Sequence, residues 1–399
     1  GAAGAYRHLV GDDERGIDAD AELTEQFTLR NLVCACTGVP RRDFELIFNG
    51  NERGPDDIVA SLATFEFFTD FGEAFQYSNQ LVATGGYAAA AAYDDSVGLG
   101  VAYRNRMQEL IFDPIGMDNT TFDFSAVEAR GDYATPHGAY LDGTYQPIQL
   151  SLEEALLRSI EPAGGAWSTV GDMARYMLTM LGGGVTPDGE RVVSEENLLI
   201  TAQPQVPIDA STNYGLGWIL SLYNGIPVIG HDGNTLGMTS AFSFLPEQGI
   251  GVIVLSNGQA ANLYNQGIVA RLLELLYEQP FANDAQIQFF LDQAETQLAE
   301  LQASIGDAPA EGDVAAYLGD YSNDALGAVS IRYEDDQLLL DAGEFVTELR
   351  PSLTSEIEDG EAFVLYGAPI PGTSVIFQGE GDDLELVVGE GVTDDGACV

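Results

Sequence analysis

The chain has 399 residues, 45% of them hydrophobic, and carries 63 acidic side chains against 15 basic ones, for a formal charge of −48. An excess of that size argues against nucleic acid or an anionic membrane as a partner, because phosphate binding needs clustered cations. The acidity is spread along the chain as a solvated surface, and the apolar content is too high for a disordered acidic tail.

Two residue types constrain the chemistry further. All 15 basic residues are arginine, and lysine is absent. The three cysteines are Cys34, Cys36 and Cys398, an odd count that excludes a fully paired framework within one chain. Cys34 and Cys36 stand too close in sequence to bridge each other easily and are expected as small buried thiols, with a bridge from one of them to Cys398 as the alternative. There is no CxxC or Cys/His cluster, and with three histidines neither a metal site nor a cofactor is expected. No apolar run nears the roughly 20 residues that a membrane-spanning helix needs.

In chain order, residues 1–30 are polar and irregular. "FTLRNLVCACTGVP" predicts a helix that ends at Gly38 and Pro40, and residues 55–71 carry a second helical pattern. The triplet Tyr77-Ser78-Asn79 follows a turn at Gly72, and the Ala- and Gly-rich stretch after it suits a tightly packed helix. "RNRMQELIFDPIGM" reads as helix up to Pro114. In "STVGDMARYMLTML", Ser168 or Thr169 is the expected cap and Met173, Tyr176, Met177 and Met180 the apolar face.

From residue 214 onward the period changes. "YGLGWILSLYNG", "IPVIGHDGN", "MTSAFSFLPEQ" and "GIGVIVLSNG" read as successive strands joined by short turns, which makes them antiparallel. A closing helix follows in "NQGIVARLLELLYEQP". Helices, then a strand meander, then a helix is an α+β order. Residues 284–305 predict an amphipathic helix with Ile287, Phe290, Ala294, Leu298, Leu301 and Ile305 on one stripe, and "GDAPAEGD" a short linker. Beyond it, short alternating segments such as "AVSIRYE", "QLLLDAG", "AFVLYG" and "SVIFQGE" predict a small antiparallel barrel or sandwich.

Three stretches carry chemistry. A phenol such as Tyr77 becomes a useful base only beside a cation, and the Asn79 amide can donate to a substrate carbonyl. His231-Asp232-Gly233-Asn234 ends a predicted strand; Gly233 permits close approach to the backbone, and the Asn234 N–H can face a developing oxyanion. In "EPAGGAWSTVGDMARY", Gly164 and Gly165 permit a tight bend beside a cleft. Each stretch taken alone also has a plain structural reading, as a turn tyrosine, a strand histidine and a loop.

Together these stretches resemble the serine β-lactamase and penicillin-binding-protein family, in its class C-like branch with D-Ala-D-Ala carboxypeptidases, D-aminopeptidases and related esterases. Tyr77–Asn79, Pro162–Asp172, Tyr214–Trp218 and His231–Gly233 stand in the family's order as Tyr-x-Asn, Pro-x-Gly-Gly with Ser-Thr and Asp, Tyr-Gly-Leu-Gly-Trp and His-x-Gly. The resemblance spans residues from about 25 to about 280, and the segment after Val314 more loosely resembles the lipocalin-like barrel appended to such enzymes.

The resemblance implies a β-lactamase/transpeptidase-like antiparallel sheet flanked by helices with a helical subdomain. Its expected organisation is a hydrolase domain at 1–281, a helix and linker at 282–312, and a C-terminal β-barrel at 313–399. It implies a serine hydrolase working through an acyl-enzyme on D-amino-acid peptides or amides, β-lactams or small esters. Tyr77 would be the base and acid, Asn79 and His231 its catalytic companions, and Gly233, Asn234, Gly164 and Gly165 the substrate-binding positions. The family's nucleophile lies in Ser-x-x-Lys, which a chain without lysine cannot contain. The expectation is therefore a companion polypeptide that carries this motif and two further strands, in a periplasmic or extracellular protein. A catalytically inactive binding or assembly subunit is the alternative.

Overall fold

The structure, a computed structural model, describes residues 24, 26–67, 69–354, 360–379, 381 and 384–389. Cys398 and most of the polar segment 1–30 lie outside these residues. Helix α1 (Leu29–Val33) opens with a capping box, in which the Thr28 backbone N–H donates to Asn31 Oδ1 at 2.9 Å and the Thr28 hydroxyl accepts from the Asn31 N–H. It stops well before Gly38, where the sequence predicts its end. Cys34 and Cys36 form a disulfide with Cα atoms 5.2 Å apart, and Ala35 between them turns left-handed at φ 52°. The expectation that these two thiols would not pair is therefore corrected. A left-handed middle residue folds the chain back far enough to bring the two sulfurs together.

Of the helical pattern at 55–71, only Pro55–Ser61 is α-helix, extended by a 3₁₀ turn to Thr64. Helix α2 (Asn79–Ala91) begins directly after Tyr77 and Ser78 and is the buried centre of the helical region. Its Gly86 lies so close to Pro162 that a Cβ there would come within 2.4 Å of the proline ring. Helix α3 (Leu99–Met107) packs beside it, with the Tyr87 and Tyr103 rings edge to face. A short ribbon of β1 (His137–Ala139) and β2 (Tyr145–Pro147) precedes α4 (Leu150–Leu157), α5 (Glu161–Gly164) and α6 (Val170–Leu181). Thr169 caps α6 through its hydroxyl to the Asp172 N–H, as the sequence predicts.

The predicted strands follow. β3 (Val206–Pro207), β4 (Asn213–Tyr214), β5 (Ile219–Tyr223), β6 (Ile226–Asn234), β7 (Thr239–Leu245) and β8 (Ile250–Ser256) form one antiparallel sheet in sequential order. Asn224 and Gly225 both have positive φ in the two-residue turn between β5 and β6, the conformation that makes Asn-Gly a hairpin former. α6 packs on one face of this sheet through Met177, and α7 (Asn262–Leu276) on the other. β8 ends the sheet among the described residues and, although wholly apolar up to Leu255, has no buried residue.

Helix α8 (Asn283–Ala303) runs on to the C-terminal part, half-burying Ile287, Leu298 and Leu301 of its predicted stripe; Phe290, placed on the same stripe, is 41% exposed. β9 (Gly319–Asn323), β10 (Gly327–Glu334), β11 (Gln337–Asp341), β12 (Val346–Pro351), β13 (Gly360–Leu365), β14 (Ser374–Gln378) and β15 (Glu385–Val388) then make a seven-stranded meander, a near-closed antiparallel barrel. Leu338, Leu340, Leu349, Phe363, Val375 and Phe377 fill it, and Phe48, Leu152 and Leu236 from earlier in the chain join the same core.

Candidate active site

The site is assembled where the entry to α2 meets the six-stranded sheet. The extended segment Phe75–Ser78 is tied to the end of α1 by a hydrogen bond from the Gln76 N–H to the Ala35 carbonyl at 2.9 Å. This places the Tyr77 ring 6.2 Å from Tyr214 and 6.0 Å from His231, centre to centre. Tyr214 and His231 reach one place because β4 pairs with β5 and β5 with β6. Tyr214 lies opposite Ile219, and Ile219 lies opposite Gly230, the neighbour of His231.

The hydrogen bonds define the state of His231. Its Nδ1 lies 2.6 Å from the Asp232 carbonyl oxygen, which only accepts, so Nδ1 carries the proton. Nε2 shares a hydrogen bond with the Tyr214 hydroxyl at 3.0 Å. Both imidazole nitrogens are thus satisfied. Burial pushes the Tyr77 phenol above its ordinary pKa; the Arg41 guanidinium pulls it back down, and the Asp43 carboxylate pushes it up. Burial, reinforced by Tyr77, likewise raises the Tyr214 phenol.

Arg41 stands 6.0 Å from the centre of the Tyr77 ring and pairs with Asp43. Asp43 in turn accepts from the Asn79 side-chain amide at 3.1 Å. Asn79 is therefore oriented by Asp43, with one amide hydrogen engaged. The sequence reading singled out neither Arg41 and Asp43 nor Tyr214 as site residues. The available clue was local: Arg41 and Asp43 follow Pro40 directly, and Tyr214 opens the Tyr-Gly-Leu-Gly-Trp motif.

Just past His231, at the C-terminal end of β6, the Thr235 N–H donates to the Met238 carbonyl at 3.0 Å and closes the β6–β7 turn. Bonded and unbonded pairs alternate along an antiparallel ladder, so the Asn234–Thr239 pair is an unbonded one. The Asn234 N–H accordingly points away from β7, toward the side where β5 has already ended at Ile219. Gly233 faces Ser240, whose hydroxyl would lie 2.5 Å from any Cβ at that position. His231, Gly233 and Ser240 form the polar end of a cleft of about 470 Å³. Met173, Tyr176, Met180, Trp218 and Phe242 line the rest.

Gly164 and Gly165 stand at the end of α5. Gly165 is buried against Glu161, whereas Gly164 is exposed, with the Leu157 side chain nearest to it. Glu161 there is buried, pairs with Arg104 at 2.6 Å, and has its pKa raised by burial against the pull of Arg104.

The beta-lactamase family model matches residues 10–275, and the chain belongs to that family. It is 28% identical over 262 residues to penicillin-binding protein 4 of Amycolatopsis lactamdurans, covering 64% of this chain and 66% of that protein. It is 24% identical over 250 residues to an unguisins hydrolase of Aspergillus campestris, covering 60% of this chain and 44% of that protein. The chain thus spans less than two thirds of the length of either curated relative. Among solved structures, the octameric penicillin-binding protein homologue from Pyrococcus abyssi shares the fold at a TM-score of 0.54 and 19% identity, over 98% of this chain and 84% of that one.

Proposed function

We propose that this chain forms the larger part of a serine hydrolase that works through an acyl-enzyme on D-amino-acid peptides or amides, β-lactams or small esters. The observation that carries the reading is the meeting of Tyr77 with the hydrogen-bonded Tyr214–His231 pair beside an apolar cleft. In this reading Tyr77 takes the proton from the nucleophile and returns it to the leaving group. His231 and Tyr214 hold the wall in place, and Asn79, steadied by Asp43, offers its remaining amide hydrogen to the acyl carbonyl. The Asn234 N–H supplies one half of the oxyanion hole and Gly233 lets the substrate lie close to β6. Trp218, Phe242 and the methionines favour an apolar group on the substrate. Gly164, exposed at the end of α5, and Gly165 form the tight bend that completes the substrate-binding positions.

The nucleophilic serine and its lysine lie, in this reading, outside these 399 residues, on a segment or companion chain seated along β8. Two features support it: no lysine is present in the 399 residues, and β8 offers an unburied apolar edge. The Cys34–Cys36 disulfide supports an oxidising, periplasmic or extracellular setting. The units 1–281, 282–312 and 313–399 serve as hydrolase domain, connector and lipocalin-like accessory barrel.

The test is labelling of native material with a fluorescent penicillin or a fluorophosphonate, followed by mass spectrometry. A labelled serine within Ser-x-x-Lys, outside these 399 residues, is expected. No labelled serine in any chain sinks the hydrolase and leaves the binding or assembly subunit. In the active assembly, Tyr77→Phe should lower turnover by about 10²–10⁴-fold with the fold intact.

A further inference from the structure

The disulfide lies directly behind the proposed base. Cys36 and Ala35 pack in one cluster with Phe75, Tyr77 and Tyr214, and the Ala35 carbonyl anchors the Gln76 N–H next to Tyr77. Ala35 is buried and left-handed, a conformation that an L residue other than glycine rarely adopts without being held there. Cys34 ends α1 in right-handed geometry, so a right-handed Ala35 would simply continue the helix. The closed Cys34–Ala35–Cys36 ring therefore selects the backbone conformation that presents the Ala35 carbonyl to Gln76. The two sulfurs also differ in access, because Cys34 is fully buried and Cys36 half-buried.

We propose that Cys34–Cys36 is a thiol–disulfide exchange site for a dithiol reductant, and that its closed form holds the Tyr77 segment in place. A thiolate of the dithiol attacks the Cys36 sulfur, the S–S bond breaks, and its electron pair leaves on the Cys34 sulfur, which takes up a proton. The second thiol of the reductant, after losing its proton, attacks its own mixed-disulfide sulfur and releases Cys36, which is protonated in turn. Two electrons and two protons pass to the protein, and the reductant leaves as a disulfide. With the ring open, Ala35 turns right-handed, α1 lengthens, and the Gln76 N–H loses its acceptor. The effect on turnover rests on the reading of Tyr77 as the base; the exchange reaction and the loosening of Gln76 do not.

The experiment compares the oxidised 399-residue chain with the same chain reduced by dithiothreitol, with thiol alkylation and peptide mapping to establish the state of each cysteine. Amide hydrogen exchange at Gln76 should quicken by about tenfold or more on reduction, while the β10–β11 amides keep their rates. The double variant Cys34→Ala/Cys36→Ala should show the fast rate without any reductant. Unchanged exchange at Gln76 in fully reduced protein overturns the proposal, as does finding Cys34 and Cys36 unjoined in the oxidised chain. If exchange responds but the native assembly hydrolyses nothing in either state, the exchange site stands and the acyl-enzyme reading falls.

Discussion

Strands β8 and β14 are close in composition, "IGVIVLS" against "SVIFQ", and meet opposite fates. Val375, Ile376 and Phe377 of β14 are all buried, between β13 and β15 and under the Tyr317 ring, which stacks on Phe377 with centres 4.4 Å apart. β8 has a neighbour only in β7 among the described residues, and its Leu255 is 42% exposed. The barrel is held by an apolar core closed on itself. The six-stranded sheet has apolar clusters under α6 and α7, and adds buried polar ties around its turns. Glu153 accepts from the Thr235 hydroxyl at 2.9 Å and the Gly237 N–H at 2.6 Å, and the Ser256 hydroxyl donates to Asn265 at 2.6 Å. β-Propensity thus makes a strand of either sequence, while burial depends on what the fold lays over it.

Three measurements can break that comparison or sharpen it. The largest effect is expected from Phe377→Ala, which empties the barrel core and should cost about 3–5 kcal/mol in urea unfolding. A cost near zero would mean that the barrel core is not what holds these strands.

The second concerns the polar ties. Burial raises the Glu153 pKa despite its hydrogen bonds to Thr235, Gly237 and Leu236. A carboxyl whose folded pKa lies above its unfolded one binds more protons when folded. Its contribution is full below the ordinary carboxylate pKa and is lost as pH rises through the raised one. Glu153→Gln should therefore flatten the fall of stability across that window, measured as unfolding midpoints from acid to neutral pH, and leave the barrel's response unchanged. An identical slope in the variant would show that Glu153 does not titrate with folding.

The smallest effect is expected from Leu255→Ala, within about 0.5 kcal/mol in the chain alone. A loss as large as that at Phe377 would show that the outer face of β8 is already covered. In a native assembly that includes a companion chain, the same substitution should weaken the association, which size measurements by native mass spectrometry would register against the 42.6 kDa chain.

Much of this arrangement is legible in the sequence alone. The period of apolar residues and the Asn224-Gly225 turn located β5 to β8, and Thr169 announced α6. β12 escaped the reading because "VTELRP" mixes charges into its alternation and ends in proline. The helix predicted to reach Gly38 overran because local propensity carries no information about a covalent tie two residues long.

The site divides in the same way. Sequence order alone determined that Tyr77, Asn79, His231 and Gly233 belong to one family pattern, and composition alone determined that no lysine accompanies them. Only the tertiary structure decided that Tyr214 is hydrogen-bonded to His231, that Asp43 takes the Asn79 amide, and that Arg41 is the cation beside Tyr77. The physical reason is range. Propensities and turns act over a few residues, whereas these pairings join positions far apart in the chain, through strand register and packing that no single stretch encodes.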